Sequence, residues 1–215
     1  MHTQLLNKIG QRAYSTKETL LHSYNMGKYV TENNIQGAII ECGLGAGANF
    51  AAMMLGGGID KSYFGFDSFE GIQLAGKKDD SQPGIGKITH DVNVPESELL
   101  ISSGITSCSL ESVQSNLKEW GFDGYKIYFK KGWVQNTITD DFKSQIAILR
   151  LDMDIYDPTK HVLEKLYPLL SIGGVLIIDD WELTGVRAAC DEYFKGQNVE
   201  WLSIENSTPK YLIKK

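Results

Sequence analysis

The sequence lacks any surplus of positive charge: 21 Lys and Arg stand against 27 Asp and Glu, for a formal net charge of −6. Phosphate backbones are bound by clustered basic side chains, so nucleic acid is excluded as the expected partner. No apolar run approaches the roughly 18 residues of a membrane helix. The first residues, MHTQLLNKIGQRAYST, are polar and mixed, unlike a secretion signal. Cysteine is scarce: Cys42, Cys108 and Cys190 give an odd count without metal-type spacing, which reads as free thiols in a reducing compartment. No Cys/His set offers a zinc site. These absences leave a soluble, cytoplasmic protein as the expectation. With 215 residues, 42% hydrophobic and 22% charged, it has the size and composition of one large domain, taken as 1–215.

What is present is an alternation of short apolar runs and helical patterns. AIIECG (38–43), YFGFD (63–67), KIYFK (126–130), IAILRLD (146–152) and GVLIIDD (174–180) read as strands. They are apolar almost throughout, as in a sheet covered on both faces. Helical spacing falls at 46–55, 110–120 and 159–170. In the last, Val162, Leu163, Leu166 and Leu170 share a stripe, Pro158 and Thr159 mark the start, and Gly173 and Gly174 mark the exit. Residues 1–36 read as a helical N-terminal segment. The alternation predicts a parallel α/β sheet with right-handed crossovers. The closing EWLSIENSTPKYLIKK predicts two strands joined by a short turn, and so an antiparallel end to the sheet. That end favours a methyltransferase-like topology over a plain dinucleotide fold. Residues 71–108 fit no crossover helix and read as a lid insertion, with His90 of THDVN read as a surface side chain, the alternative being a contact with substrate.

Two constellations carry chemistry. In ECGLGAGAN, Gly43, Gly45 and Gly47 let the chain turn after the first strand and approach a nucleotide-like ligand. The spacing is not the dinucleotide G-x-G-x-x-G, because the third glycine comes one residue early. Asp67, at the second strand's tip, suits the two hydroxyls of a ribose. Glu41, inside the first strand, needs a partner: a ligand ammonium, backbone donors, or an ion pair with Arg or Lys. The second constellation is acidic. Asp152, Asp179 and Asp180 end two strands that should be neighbours, and converging carboxylates suit a hard divalent cation such as Mg²⁺, Ca²⁺ or Mn²⁺. The competing reading has Asp179 and Asp180 cap the helix after DDWELTG. Asp154 points near the same pocket and suits proton acceptance from a hydroxyl, or else hydrogen bonding within its loop.

IIECGLGAGAN, YFGFDSFEG, KKGWVQNTI, LRLDMDIYDPT, LYPLLSIGGVLIIDDW and GVRAACDEYF occur in an order that resembles the macrocin O-methyltransferase (TylF-like) family of S-adenosylmethionine- and Mg²⁺-dependent sugar O-methyltransferases. The resemblance implies a class I methyltransferase fold: a seven-stranded, mostly parallel Rossmann-like sheet with an antiparallel terminal strand. It implies S-adenosylmethionine over the first two strand tips, with Gly43 at the methionine end, Asp67 on the ribose, and Ser68 and Phe69 near the adenosine. Gly132 and Trp133 fall beside the cofactor, where Trp133 also reads as a packing aromatic. The family's metal ligands map onto Asp152, Asp179 and Asp180, and its base onto Asp154. The family's glycine loop often reads ECGVWRGGS, so the contacts at the methionine end do not carry over to ECGLGAGAN. A homodimer is suggested by the resemblance alone.

The reaction expected is methyl transfer to one hydroxyl of a vicinal diol, a sugar being favoured because GKKDDSQPGIGKITHDVN holds no aromatic side chain. The alternatives are a catechol-type acceptor, an NAD-dependent oxidoreductase, and a non-catalytic module that binds S-adenosylmethionine or a nucleotide. The early third glycine, the terminal hairpin and the lack of a Tyr-x-x-x-Lys pair count against the oxidoreductase.

Overall fold

The computed structural model describes residues 2–79 and 100–215. Its centre is a seven-stranded sheet of order β3-β2-β1-β4-β5-β7-β6. The parallel strands are β1 (Ala38–Cys42), β2 (Ser62–Asp67), β3 (Lys126–Lys131), β4 (Ile146–Leu151) and β5 (Leu170–Ile178). β7 (Lys210–Ile213) runs antiparallel to β5, and the short β6 (Leu202–Ser203) pairs antiparallel with β7. The expected class I fold with an antiparallel end is what forms.

The apolar runs work because successive side chains leave opposite faces of the sheet. Ile39, Tyr63, Ile148, Val175 and Ile177 pack under α1 (His2–Gly10), α2 (Lys17–Glu32), α3 (Ala48–Gly57) and α4 (Leu110–Glu119). Ile40, Phe66, Leu149, Leu151, Leu176 and Ile178 pack on the other side, where α6 (Tyr156–Leu166) brings Val162, Leu163 and Leu166 and α7 (Thr184–Tyr193) brings Val186 and Cys190. Each such buried aliphatic side chain contributes about 1.5–3 kcal/mol. Thr16 caps α2 by accepting the Thr19 amide, and Ser109 caps α4 by accepting the Ser112 amide, each at 3.2 Å. A four-residue turn of helix, α5 (Val134–Thr137), follows β3.

α2 and α3 meet at glycines. A Cβ added to Gly27 would lie 2.4 Å from the Met53 carbonyl oxygen, and one on Gly56 would lie 2.1 Å from the Tyr24 carbonyl oxygen. No other residue type fits there.

Three expectations need correcting. α6 starts at Tyr156, before Pro158, and ends at Leu166, followed by a 3₁₀ turn, Tyr167–Leu169. Leu170 belongs to β5 instead of the helix. Gly173 and Gly174 also lie inside β5, where they exchange hydrogen bonds with Lys214: the Gly173 amide donates to its carbonyl at 2.7 Å and its amide donates to Gly174 at 2.9 Å. The two glycines ease a register shift between β4 and β5.

The described base of the 71–108 insertion is held by backbone bonds and apolar contacts. Gln73 bridges Ser102, the Ile72 amide donates to Ile105, and Ile72, Ala75 and Ile155 form a small apolar cluster. A 3₁₀ turn spans Lys77–Asp79. His90 and the rest of THDVN lie outside the described residues.

Candidate functional site

The chain turns from β1 towards β2 and β3, then returns to β4 and β5 on the other side. In such sheets ligands lie beyond the strand C-termini where the order reverses. A cavity of about 290 Å³ opens there. Its wall takes residues from every parallel strand's exit: Gly43 and Gly45 after β1, Asp67 and Ser68 at β2, Trp133 after β3, Asp152 and Asp154 after β4, and Asp179 and Asp180 after β5. Glu41 and Gly132 are not part of that wall.

The loop after β1 is fixed by what surrounds it. Gly43 has φ +83°, and a Cβ there would sit 1.7 Å from the Asp152 carbonyl oxygen, so the loop and the β4 exit touch main chain to main chain. Asp67 fastens the same loop: its oxygens accept the Leu44 and Phe69 amides, each at 2.6 Å. Burial raises its pKa, while those amides oppose the rise. Ser68 donates to the Gly71 carbonyl at 2.9 Å and accepts the Glu70 amide at 3.1 Å. Phe69 is a core residue instead, edge-on to Phe129. Trp133 is half-buried at the start of α5, and Gly132 donates to the Asp67 carbonyl at 2.9 Å.

Arg150 organises the acidic end. It is fully buried in β4, and its Nη1 donates to Glu41 Oε1 at 2.6 Å and Asp152 Oδ2 at 2.7 Å, while Nη2 donates to Asp179 Oδ1. Of the partners expected for Glu41, the basic side chain is the one seen, and the ligand-facing place is taken by Asp152 and Asp179. Burial pushes the Glu41 carboxyl up to about 8, against the pull of Arg150. Burial also works against the guanidinium's charge, yet Asp179, Asp152 and Glu41 together raise its pKa. An arginine inside IAILRL was the sequence signal for this network, and it was missed: a charge in an all-buried strand requires acids beside it.

Asp152, Asp154 and Asp180 each place a carboxylate oxygen within 4.8 Å of the others. Asp179 is adjacent but turned to Arg150, so this trio differs from the expected set of Asp152, Asp179 and Asp180. The Asp154 amide donates to Asp180 Oδ2 at 3.1 Å, and Asp154 holds φ +64°, an uncommon backbone state that aims its side chain inward. Burial first, then neighbouring carboxylates, raise Asp154 to about 8 and Asp180 well above its ordinary range. Burial likewise lifts Asp179 to about 7, opposed by Arg150. Among the described residues, Leu183 at the start of α7 supplies no side-chain cap, and the carboxylates of Asp179 and Asp180 bond Arg150 and the Asp154 amide instead of that helix. Crowded oxygens that raise one another's pKa fit a hard divalent cation, which would relieve the repulsion.

The N-terminal segment also reaches the cavity. Arg12, Tyr14 and Ser15, between α1 and α2, line its mouth, and their sequence gives no hint of it.

Comparison with known proteins adds an independent line. The family model described as Macrocin-O-methyltransferase (TylF) matches residues 15–205. A curated relative from Streptomyces olivaceus, the 8-demethyl-8-(2,3-dimethoxy-alpha-L-rhamnosyl)-tetracenomycin-C 4'-O-methyltransferase, is 30% identical over 168 residues, covering 76% of this chain and 60% of that protein. Demethyldecarbamoylnovobiocin O-methyltransferase of Streptomyces niveus is 29% identical over 171 residues, with the same 76% and 60% coverage. The chain thus spans about three-fifths of the length of these curated relatives. Among solved structures, the O-methyltransferase NovP superposes with a TM-score of 0.74 at 24% identity, over 94% of this chain and 83% of that one. The calicheamicin methyltransferase CalS11 gives 0.68 at 17% identity, over 98% and 91%. At these identities the two structures support the fold.

Proposed function

This chain belongs to the macrocin-O-methyltransferase (TylF) family, and from that premise we propose that it transfers a methyl group from S-adenosylmethionine to a hydroxyl of a vicinal diol on a sugar-bearing small molecule, with a divalent cation, Mg²⁺ for preference. The observation that carries the proposal is one cavity lined by the glycine loop, Asp67, Asp152, Asp154, Asp179 and Asp180.

The cofactor would supply the electrophilic methyl carbon, and a bound cation would supply Lewis acidity to the acceptor. The loop of Gly43 and Gly45 would bring its backbone close to the cofactor's amino-acid end, and Asp67 would accept from the ribose hydroxyls. Asp152 and Asp180, which converge with Asp154, would hold the cation, with Asp179 beside them, and Arg150 fixes Asp152 and Asp179. Asp154 accepts the proton of the attacking hydroxyl. Displacement at a methyl carbon asks the protein mainly for alignment, and groups fixed at five strand exits of one sheet supply it.

Isothermal titration calorimetry with S-adenosylmethionine, S-adenosylhomocysteine and NADH, with and without Mg²⁺, tests the proposal. Binding of the first two without NADH, and a separate Mg²⁺ heat that disappears in Asp180→Asn, is the expected result. Binding of NADH alone would overturn the reading. Asp154→Asn separates its two roles: a proton acceptor loses turnover and keeps the Mg²⁺ heat, whereas a ligand loses both.

A further inference from the structure

We infer that Arg12 recognises the carboxylate of the cofactor's amino-acid end, and that Tyr14 walls the same end of the cavity. The inference rests on the cofactor assigned above. It starts from a charge imbalance. Among the described residues lining the cavity, Asp67, Asp152, Asp154, Asp179 and Asp180 are acidic and Arg12 is the one basic side chain. S-adenosylmethionine carries a sulfonium, an ammonium and a carboxylate. An acid-lined cavity attracts the two cations and repels the anion, so the carboxylate takes its place where the one positive side chain stands.

The position of Arg12 agrees. Its Nη1 donates to Asn116 Oδ1 at 2.5 Å and its Nη2 to Glu119 Oε2 at 2.8 Å. Asn116 in turn donates from Nδ2 to the Ala46 carbonyl at 2.9 Å, inside the loop that follows β1. The guanidinium is therefore tied to the loop through one side chain. It is oriented on one edge by two acceptors, and further N–H groups of its planar fork are left to meet a carboxylate. Tyr14 lies over the loop, with Cδ2 3.0 Å from where a Gly45 Cβ would be, and it is 71% exposed despite its aromatic ring. Ser15 Oγ accepts from Asn49 Nδ2 at 3.0 Å, which stitches the segment to the first turn of α3. That turn presents amides and positive dipole to the same end.

The competing explanation is a structural staple: Arg12 and Lys8 both pair with Glu119 and would fasten α1 to α4. The two roles separate on ligands that differ only at the amino-acid end. S-adenosylhomocysteine carries the carboxylate, and 5′-methylthioadenosine has the same nucleoside thioether without the amino-acid group. Calorimetry on the full chain should show Arg12→Gln weakening S-adenosylhomocysteine about tenfold to a hundredfold, the scale of a charged hydrogen bond, with 5′-methylthioadenosine changed less than about twofold. Arg12→Lys, which retains charge but not the fork, should fall between. Glu119→Gln breaks the staple while sparing the guanidinium, so it should lower the thermal midpoint and leave the preference for S-adenosylhomocysteine intact. Equal weakening of both ligands by Arg12→Gln, or loss of the preference in Glu119→Gln, would overturn the inference in favour of the staple. Wild-type protein that binds neither ligand overturns the cofactor assignment itself, a result distinct from both.

Discussion

The carboxylate of Asp79 accepts a hydrogen bond from the backbone amide of Tyr156, 3.0 Å away and 77 positions along the chain. Asp79, in the insertion, is fully buried, and Tyr156 is the first residue of α6. A helix leaves its first amides without partners, and no side chain of α6's own cap supplies one. The insertion therefore caps the helix that follows Asp152 and Asp154. Asp79→Ala should lower unfolding free energy by about 1–3 kcal/mol, the cost of orphaning a buried donor. Asp79→Asn, which keeps an acceptor oxygen, should lose less. Denaturant titration of the three proteins decides it, and equal stability of all three would refute the cap.

Arg150→Met should be among the most damaging single changes. It leaves Glu41 buried without its partner and frees Asp152 and Asp179 to repel each other. Breaking a buried pair on one side costs about 3–5 kcal/mol. Adding Glu41→Gln to Arg150→Met should restore part of that loss, because the orphaned charge goes with it. A double-mutant cycle by chemical denaturation measures the coupling.

The acidic cluster predicts opposite effects on stability and on ion response. Asp180→Asn removes one of several crowded, half-buried carboxylates, so the cation-free protein should gain about 1 kcal/mol. The rise in thermal midpoint that Mg²⁺ gives the wild type by mass action should disappear. A melting series against Mg²⁺ concentration reads both. A destabilised variant that still responds to Mg²⁺ would contradict the assignment.

His22, on α2, gives a pH signature. Its ring lies 4.5 Å from that of Tyr211, and burial, helped by the charge of Arg150, lowers its pKa from 6.5 to about 4. The folded state thus resists protonation that the unfolded chain accepts. The stabilising contribution is complete above about pH 6.5 and is lost as pH falls towards 4, to a limit of about 3 kcal/mol. His22→Gln should show a constant packing loss and a flatter decline across that interval. Parallel acid-unfolding curves for the two proteins would show that His22 does not titrate as described.

The sheet was legible because the β1, β2, β4 and β5 runs are apolar on both faces, and burial on both faces is what such runs require. The acids at the strand exits were legible for the complementary reason that clustered Asp at a strand end is costly without a purpose. Two things were not. The end of α6 was misplaced because Leu170 continues the helical stripe, while tertiary pairing of Gly173 and Gly174 with Lys214 draws the chain into β5. Arg12 and Tyr14 were invisible because nothing local distinguishes a basic or aromatic residue between two helices. Only the return of the chain over the loop after β1 gives them neighbours.

Where Gly27 meets Gly56, α2 and α3 touch main chain to main chain, with no side-chain cushion to compress. The two helices therefore behave as one stiff lever. α3 starts at the loop that follows β1, and α2 starts just beyond the Arg12–Ser15 segment. A push of a few tenths of an ångström at either end has no soft layer in which to be lost, so what one end of the cavity feels is delivered to its mouth.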